Sequence, residues 1–296
     1  MTRSARDAAL IRAMPGVFVL IWSTGFIVAR YGMPHAPPFK FLALRYGLSI
    51  LCFLPWIWLR HVPWPAQPRQ WMHLVVTGVL MHALYLGGVW AAVKAGMGSG
   101  VCALIVGLQP VLTAIWLAAI GARISSRQWA GLAFGFAGLG LVVSRKFELA
   151  GVGDQVTPAN LAMVVGALLA ITVGTLYQKR FVTACDVRTA NVVQLCAALL
   201  VTLPFVGLET EGVTWGVALA GAMAWSVLAL TLGGSSLLYL LIQRGAATSV
   251  TSLLYLVPPT TALMAWLLFD EPITTTTLIG TALTAYGVSL VVRAPA

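Results

Sequence analysis

"LLYLVPPTTALMAWLLFDEP", Leu253 to Pro272, opens with seventeen uncharged residues that contain the adjacent prolines Pro258 and Pro259, then closes on Asp270-Glu271-Pro272. A hydrocarbon core about 30 Å thick takes roughly 20 apolar residues per helix, and the apolar run 246–269 meets that length. The whole chain has the same character. Its 296 residues are 59% hydrophobic and 9% charged, with mean hydropathy +0.91. A soluble domain carries about 25% charged residues, so this composition predicts an all-α integral membrane protein.

The same ruler predicts ten spans: 13–32, 39–59, 71–92, 99–120, 128–145, 158–178, 187–207, 214–239, 246–269 and 274–292. The joints between them, such as "RHVPWPAQPR" and "KFELAGVGDQVTP", leave no room for a soluble domain. Arg3, Arg6 and Arg12 precede the first span, which lacks a small-x-small cleavage site and reads as a retained helix rather than a signal peptide. With the N-terminus in the cytoplasm, twelve of the eighteen Lys and Arg fall inside and five outside, with Arg45 within the second span. The positive-inside bias therefore predicts both termini cytoplasmic.

The formal charge of +10 does not point to nucleic acid. The basic residues stand singly or in pairs between apolar runs, and no nucleic-acid-binding motif is present. Cys52, Cys102, Cys185 and Cys196 form no CxxC and read as packing residues, with neither a disulfide framework nor a metal site.

Pro259 also exposes a repeat. A shift of 149 positions places it on Pro110, and the same shift pairs Pro55 with Pro204, Gly25 with Gly174, Gly96 with Gly245, Gly131 with Gly280 and Gly138 with Gly287. "LVV" at 141–143 meets "LVV" at 290–292. Five spans is an odd number, so the second copy enters from the opposite face. The expectation is two inverted five-helix repeats, 1–147 and 148–296, the architecture of many alternating-access carriers. An enzyme would need a nucleophile with a base, a carboxylate pair or a zinc constellation. The chain has no HExxH, GxSxG or Walker A, and its eight acids lie at span ends or in loops. The glycine-rich "GLAFGFAGLGLVV" lies inside a span and reads as a close-packing surface.

Four stretches carry a family resemblance: "IWSTGFIVARYG", "FLALRYGLSILCFLP", "KAGMGSGVCALIVGLQPVLTAIW" and "RGAATSVTSLLYLVPPTTALMAWLLFDEP". Together they resemble the EamA-type family of the drug/metabolite transporter superfamily, over nearly the whole chain. The resemblance implies a ten-helix inner-membrane carrier whose relatives typically export amino acids or other small metabolites. One departure stands out. The family commonly ends the fourth span on an acid, as the ninth does here at Glu271, but the equivalent position here is Ala122.

Polar and aromatic residues inside spans are the candidates for a substrate cavity, because such groups usually face the bundle interior. They are Trp22, Thr24, Arg45, His82, Tyr85, Trp90, Gln109, Tyr177, Gln178, Tyr239, Gln243 and Tyr255. Gly25, Pro110, Gly174, Pro258 and Pro259 are candidate kinks. His82 is the best candidate for proton linkage, the alternative being a neutral imidazole bonded to a neighbouring helix. Arg45 either pairs with a substrate carboxylate or snorkels to lipid phosphate. Asp270-Glu271 read as a turn at the outer end of the ninth span.

The sequence thus predicts a non-ATPase carrier in a bacterial inner membrane, exporting an amino acid or related metabolite by alternating access without cofactor or metal. The alternatives are an exporter of drugs or nucleoside-like solutes, a membrane enzyme and a lipid scramblase. The expected partners are a small-molecule substrate and the bilayer. Small-xxx-small patterns serve packing within one bundle and give no argument for or against a homodimer.

Overall fold

The computed structural model describes residues 3–119, 121, 125–148, 155–243, 257–270 and 273–292. Among them there is helix and no strand. The chain is a multi-pass membrane protein. Six helices are long and apolar enough to cross a membrane: Pro38–Leu59, Pro68–Lys94, Ser99–Trp116, Pro158–Phe181, Val187–Leu208 and Val217–Leu240. Gly16–Gly32 and Val257–Phe269 are shorter apolar helices.

In chain order the elements begin with α1 (Arg3–Gly32) and α2 (Pro38–Leu59). The third long helix comprises α3 (Pro68–Gly78), a π-helical segment (Val79–Leu84) and α4 (Tyr85–Lys94). Then come α5 (Ser99–Val106), α6 (Gln109–Ala119), α7 (Ser126–Glu148), α8 (Pro158–Phe181) and α9 (Val187–Leu208). The next long helix is α10 (Val217–Trp225), a second π-helical segment (Ser226–Ser235) and α11 (Ser236–Gln243). α12 (Val257–Phe269) and α13 (Thr275–Val292) complete the described chain.

The helix starts follow local chemistry. Thr157 and Asn160 form a capping box at α8, and Asn160 Nδ2 also donates to the Ala95 and Gln155 carbonyls, tying α4 to α8. Asp186 caps α9 by accepting from the Arg188 backbone N–H, and its carboxylate pairs with the Arg188 guanidinium at 2.8 Å. α2 starts on Pro38 with no side-chain cap of its own. Glu209 serves instead, its two carboxylate oxygens accepting from the Phe39 and Lys40 backbone N–H groups at 2.8 Å each. Lys40 Nζ donates back to the Glu209 and Glu211 carbonyls, and Lys94 Nζ lies 2.6 Å from Glu211 Oε2. At the other end of the bundle, Gln70 bonds Thr183 through both its amide atoms. Each end is therefore tied by side chains reaching more than a hundred residues along the chain.

The fourth predicted span is present as Ser99–Trp116, interrupted by a turn at Gly107-Leu108 between α5 and α6. Pro110 sits in the first turn of α6, where its missing N–H would have had no helical acceptor, so it starts a helix rather than kinking one. A Cβ on Gly107 would lie 2.7 Å from Pro258 Cγ, so the break is where α12 presses against the chain. Asp270 adopts φ 53°, in keeping with the expected turn, while Glu271 and Pro272 lie outside the described residues.

Among the most extensive helix contacts are α7 with α13 and α2 with α9. In each pair the two helices are related by the 149-residue shift. α7 and α13 run antiparallel and meet backbone to backbone. A Cβ on Gly138 would overlap the Gly280 carbonyl, and one on Gly287 would overlap the Gly131 carbonyl. Thr284 Oγ1 donates to the Gly280 carbonyl, 2.9 Å away, and lies 3.4 Å from the Gly135 carbonyl. The glycine-rich stretch of the fifth span is thus a close-packing surface, as small residues are in membrane bundles.

Gly138→Val should lower unfolding stability in detergent by about 1–3 kcal/mol, the usual effect of overpacking. Gly140→Val, with nothing within 4 Å of an added Cβ, should stay within about 0.5 kcal/mol. Thermal or denaturant unfolding of the two purified variants measures the difference.

Candidate functional site

The two π-helical segments are shift partners, since Val79–Leu84 maps into Ser226–Ser235. A π turn widens the backbone and often marks a functional position. Between these segments lies a cavity of about 680 Å³, its open mouth included. α1 contributes Trp22 and Gly25 to it, and α2 contributes Arg45. The third long helix supplies Met81, His82, Tyr85, Leu86, Val89 and Trp90. Gln178 comes from α8, Gln194 from α9, and Leu230, Ser235, Leu238 and Tyr239 from the second π segment and α11.

Ten of these residues form shift-related pairs: Arg45 with Gln194, Met81 with Leu230, Leu86 with Ser235, Val89 with Leu238, and Trp90 with Tyr239. The polar bonds follow the same relation. Arg45 Nε donates to Thr231 Oγ1 at 3.0 Å, and His82 Nε2 lies 3.4 Å from Gln194 Oε1. Gln194 lies 149 residues after Arg45, and Thr231 lies 149 after His82. The two contacts therefore join positions related by the same shift, with different chemistry in each.

Each polar group is set by its neighbours. Thr231 donates its hydroxyl proton to the Ser226 carbonyl at 2.9 Å, which turns a lone pair toward Arg45 Nε. Tyr46 Oη donates to the His82 carbonyl at 2.8 Å inside the first π segment. Gly78 lets α3 approach α9 closely, since a Cβ there would sit 2.6 Å from Gln194 Cα. The Arg45 side chain is bonded inward and buried, with the residue 5% exposed. That excludes the snorkelling alternative. His82 is bonded to the neighbouring α9 through Gln194. Ion pairs among the described residues are Lys94–Glu211 and Arg188–Asp186, and no Asp or Glu lines the cavity.

Seven of the twelve candidate side chains line this one space: Trp22, Arg45, His82, Tyr85, Trp90, Gln178 and Tyr239. The rings of Trp22 and Tyr85 lie nearly parallel, 6.3 Å between centroids. Three candidates lie elsewhere. Thr24 donates to the Ile21 carbonyl and accepts from Trp225 Nε1. Gln109 Nε2 donates to Thr175 Oγ1, joining α6 to α8. Tyr177 Oη bonds His73 Nδ1 at 2.8 Å. Tyr255 and the Gln243 side chain lie outside the described residues. Of the candidate kinks, Gly25 lines the cavity and Gly174 lies under Met81. Pro258 is buried and Pro259 half-buried in the first turn of the described part of α12.

Gln194 was missed by the sequence reading. The signal was available, because sliding Arg45 by 149 lands on it.

With the cavity between shift-related helices in view, the comparison with known proteins decides the family. The EamA-like transporter family matches residues 16–144 and 159–293. The chain belongs to the EamA-like transporter family. An uncharacterized transporter of Archaeoglobus fulgidus is 24% identical over 275 residues, 92% of this chain and 93% of that one. The uncharacterized inner membrane transporter YedA of Escherichia coli K12 is 24% identical over 212 residues, 71% of this chain and 66% of its own. A probable amino-acid metabolite efflux pump of the same strain is 23% identical over 282 residues, covering 91% and 90%. One crystal structure has the same fold, with TM-score 0.67 and 17% identity over 94% of both chains. For this EamA-like transporter, the cavity is the natural place to look for a solute.

Thr231→Val removes the acceptor of Arg45 Nε while nearly conserving volume. It should cost about 1–3 kcal/mol of stability, the usual penalty for an orphaned buried donor. Thr231→Ser keeps the hydroxyl and should recover most of that loss in detergent unfolding.

Proposed function

We propose that this protein is a secondary exporter of a small organic metabolite, an amino acid or a related compound, working by alternating access without ATP. Its ten spans form two inverted five-helix repeats, 1–147 and 148–296, in a bacterial inner membrane with both termini cytoplasmic. One observation carries the reading. Ten of the sixteen cavity residues are shift-related pairs, so the two halves contribute equivalent positions to one central space. A site on such an axis can be exposed to either side when the halves exchange conformations.

Three further features support the reading. α7 and α13, which are shift partners, pack antiparallel through Gly131, Gly138, Gly280 and Gly287, as halves of opposite orientation would. The cavity walls are mostly aromatic and aliphatic with a few placed polar groups, which suits a small amphiphilic solute. The relative named as a probable amino-acid metabolite efflux pump matches along most of both chains.

The test is flux through the purified protein in liposomes, across a panel of amino acids and related metabolites, with and without a pH gradient. The expected result is saturable solute flux that needs no ATP. Lipid flipping alone, or chemical turnover of the solute, would overturn the carrier reading. For topology, a fluorescent protein fused to the C-terminus should fluoresce, and alkaline phosphatase fused there should be inactive.

A further inference from the structure

We infer that Arg45 and Gln194 form a subsite for a single carboxylate, so that the cavity selects monoanionic solutes with an apolar body over neutral or cationic ones. The inference rests on the carrier reading above for the physiological role, though not for binding, and narrows it, within the amino acids and related compounds proposed there, to monocarboxylates without a free ammonium.

The Arg45 guanidinium is buried within an apolar span, where an uncompensated charge is costly and usually finds an acidic partner. Here its protein partner is a hydroxyl. Thr231 Oγ1 takes the Nε proton, and no described carboxylate pairs with the guanidinium. Because Thr231 gives its own proton to Ser226, the contact fixes one edge of the guanidinium plane. Arg45 lines the cavity, and the terminal nitrogens of a guanidinium suit forked recognition of a carboxylate.

Gln194 supplies an independent sign. The residue is 4% exposed and lines the same cavity, and its Nε2 has no hydrogen-bond acceptor. Its Oε1 faces His82 Nε2, so the carboxamide presents its donor end unused. Buried polar atoms are normally satisfied. An unmet amide donor and a guanidinium lining one cavity ask for a group that only accepts and carries negative charge. An ionised carboxylate is that group.

The remaining lining sets the charge count and the rest of the solute. Arg45 is the only Lys or Arg among the described lining residues, and one positive charge balances a monoanion. Among the described lining residues there is no Asp or Glu to receive an ammonium. Trp22, Tyr85, Leu86 and Trp90 offer an apolar and aromatic surface to the organic body. A cationic solute would meet Arg45 with no compensating acid.

The test uses the full chain in lipid nanodiscs at pH 7 and three probes of one shape: 3-phenylpropionate, 3-phenylpropanamide and 3-phenylpropylammonium. Isothermal titration should show the acid binding about tenfold or more tighter than the amide, with the ammonium weakest. Arg45→Gln should bring acid and amide to within about threefold of each other, and Arg45→Lys should restore part of the preference. Gln194→Met should weaken the acid several-fold. If Arg45→Gln does not fold, the ranking of the three probes on the unaltered protein still decides. Equal binding of acid and amide, tighter binding of the ammonium, or no binding of the acid into the millimolar range would each overturn the subsite. The same probes are run as flux substrates in liposomes. Acid preference without flux keeps the subsite and sinks the carrier reading, whereas flux without acid preference does the reverse.

Discussion

In hydrocarbon, a backbone amide or carbonyl that leaves its helical partner must find another within the protein. That constraint governs where this chain departs from regular α-helix. The described spans do so at Val79–Leu84, at Ser226–Ser235 and at the Gly107-Leu108 break. Each finds hydrogen-bond partners within the protein. Tyr46 donates to the His82 carbonyl, Thr231 donates to the Ser226 carbonyl, and at the break the Gly107 and Leu108 N–H groups donate to the Ala103 and Ile105 carbonyls. The two wide turns shape the cavity walls, and the side chains that satisfy them also orient its polar groups. Backbone accounting and site construction are here the same problem.

The cavity also shows how related positions come to do different work. Arg45 and Gln194 occupy equivalent places on helices that pack against each other, and each bonds the equivalent place on the opposite long helix. An arginine–threonine contact on one side faces a glutamine–histidine contact on the other. The glycine contacts between α7 and α13 are likewise reciprocal, backbone against backbone from either helix. The chemistry is not symmetric, because one side carries the charge. A solute with one charged end would enter such a space in one orientation.

The ends of the bundle rely on a different device. Glu209 caps a helix 170 residues away, and Gln70 holds the loop at Thr183 on the opposite side. Neither contact follows from a local capping motif. Asp186 and Thr157, by contrast, cap their own helices at sequence positions a capping rule would choose.

The apolar runs by themselves located the described helices closely: α9 was expected at 187–207 and spans Val187–Leu208. The glycine periodicity, read as a packing surface, meets its shift partner as backbone on backbone. Rotation about each helix axis was a different matter. Gln109, Tyr177 and Gln178 all sat in apolar runs as equal candidates, and only Gln178 reaches the cavity. Gln194 is the one amide in "VVQLCAALL", but the run itself does not say which way it turns. In water the solvent-facing side of a helix is marked by charge, but lipid is as apolar as a protein core, so Leu200 and Leu203 face out while Leu195 is buried. The sequence by itself determined the membrane class and the bounds of the long apolar helices, and it carries the 149-residue spacing, because these follow from composition, length and spacing along one chain. Which polar residues meet, and that Arg45 faces a cavity rather than lipid, only the tertiary structure decided, because those facts depend on the rotation and close approach of helices whose two faces are equally apolar.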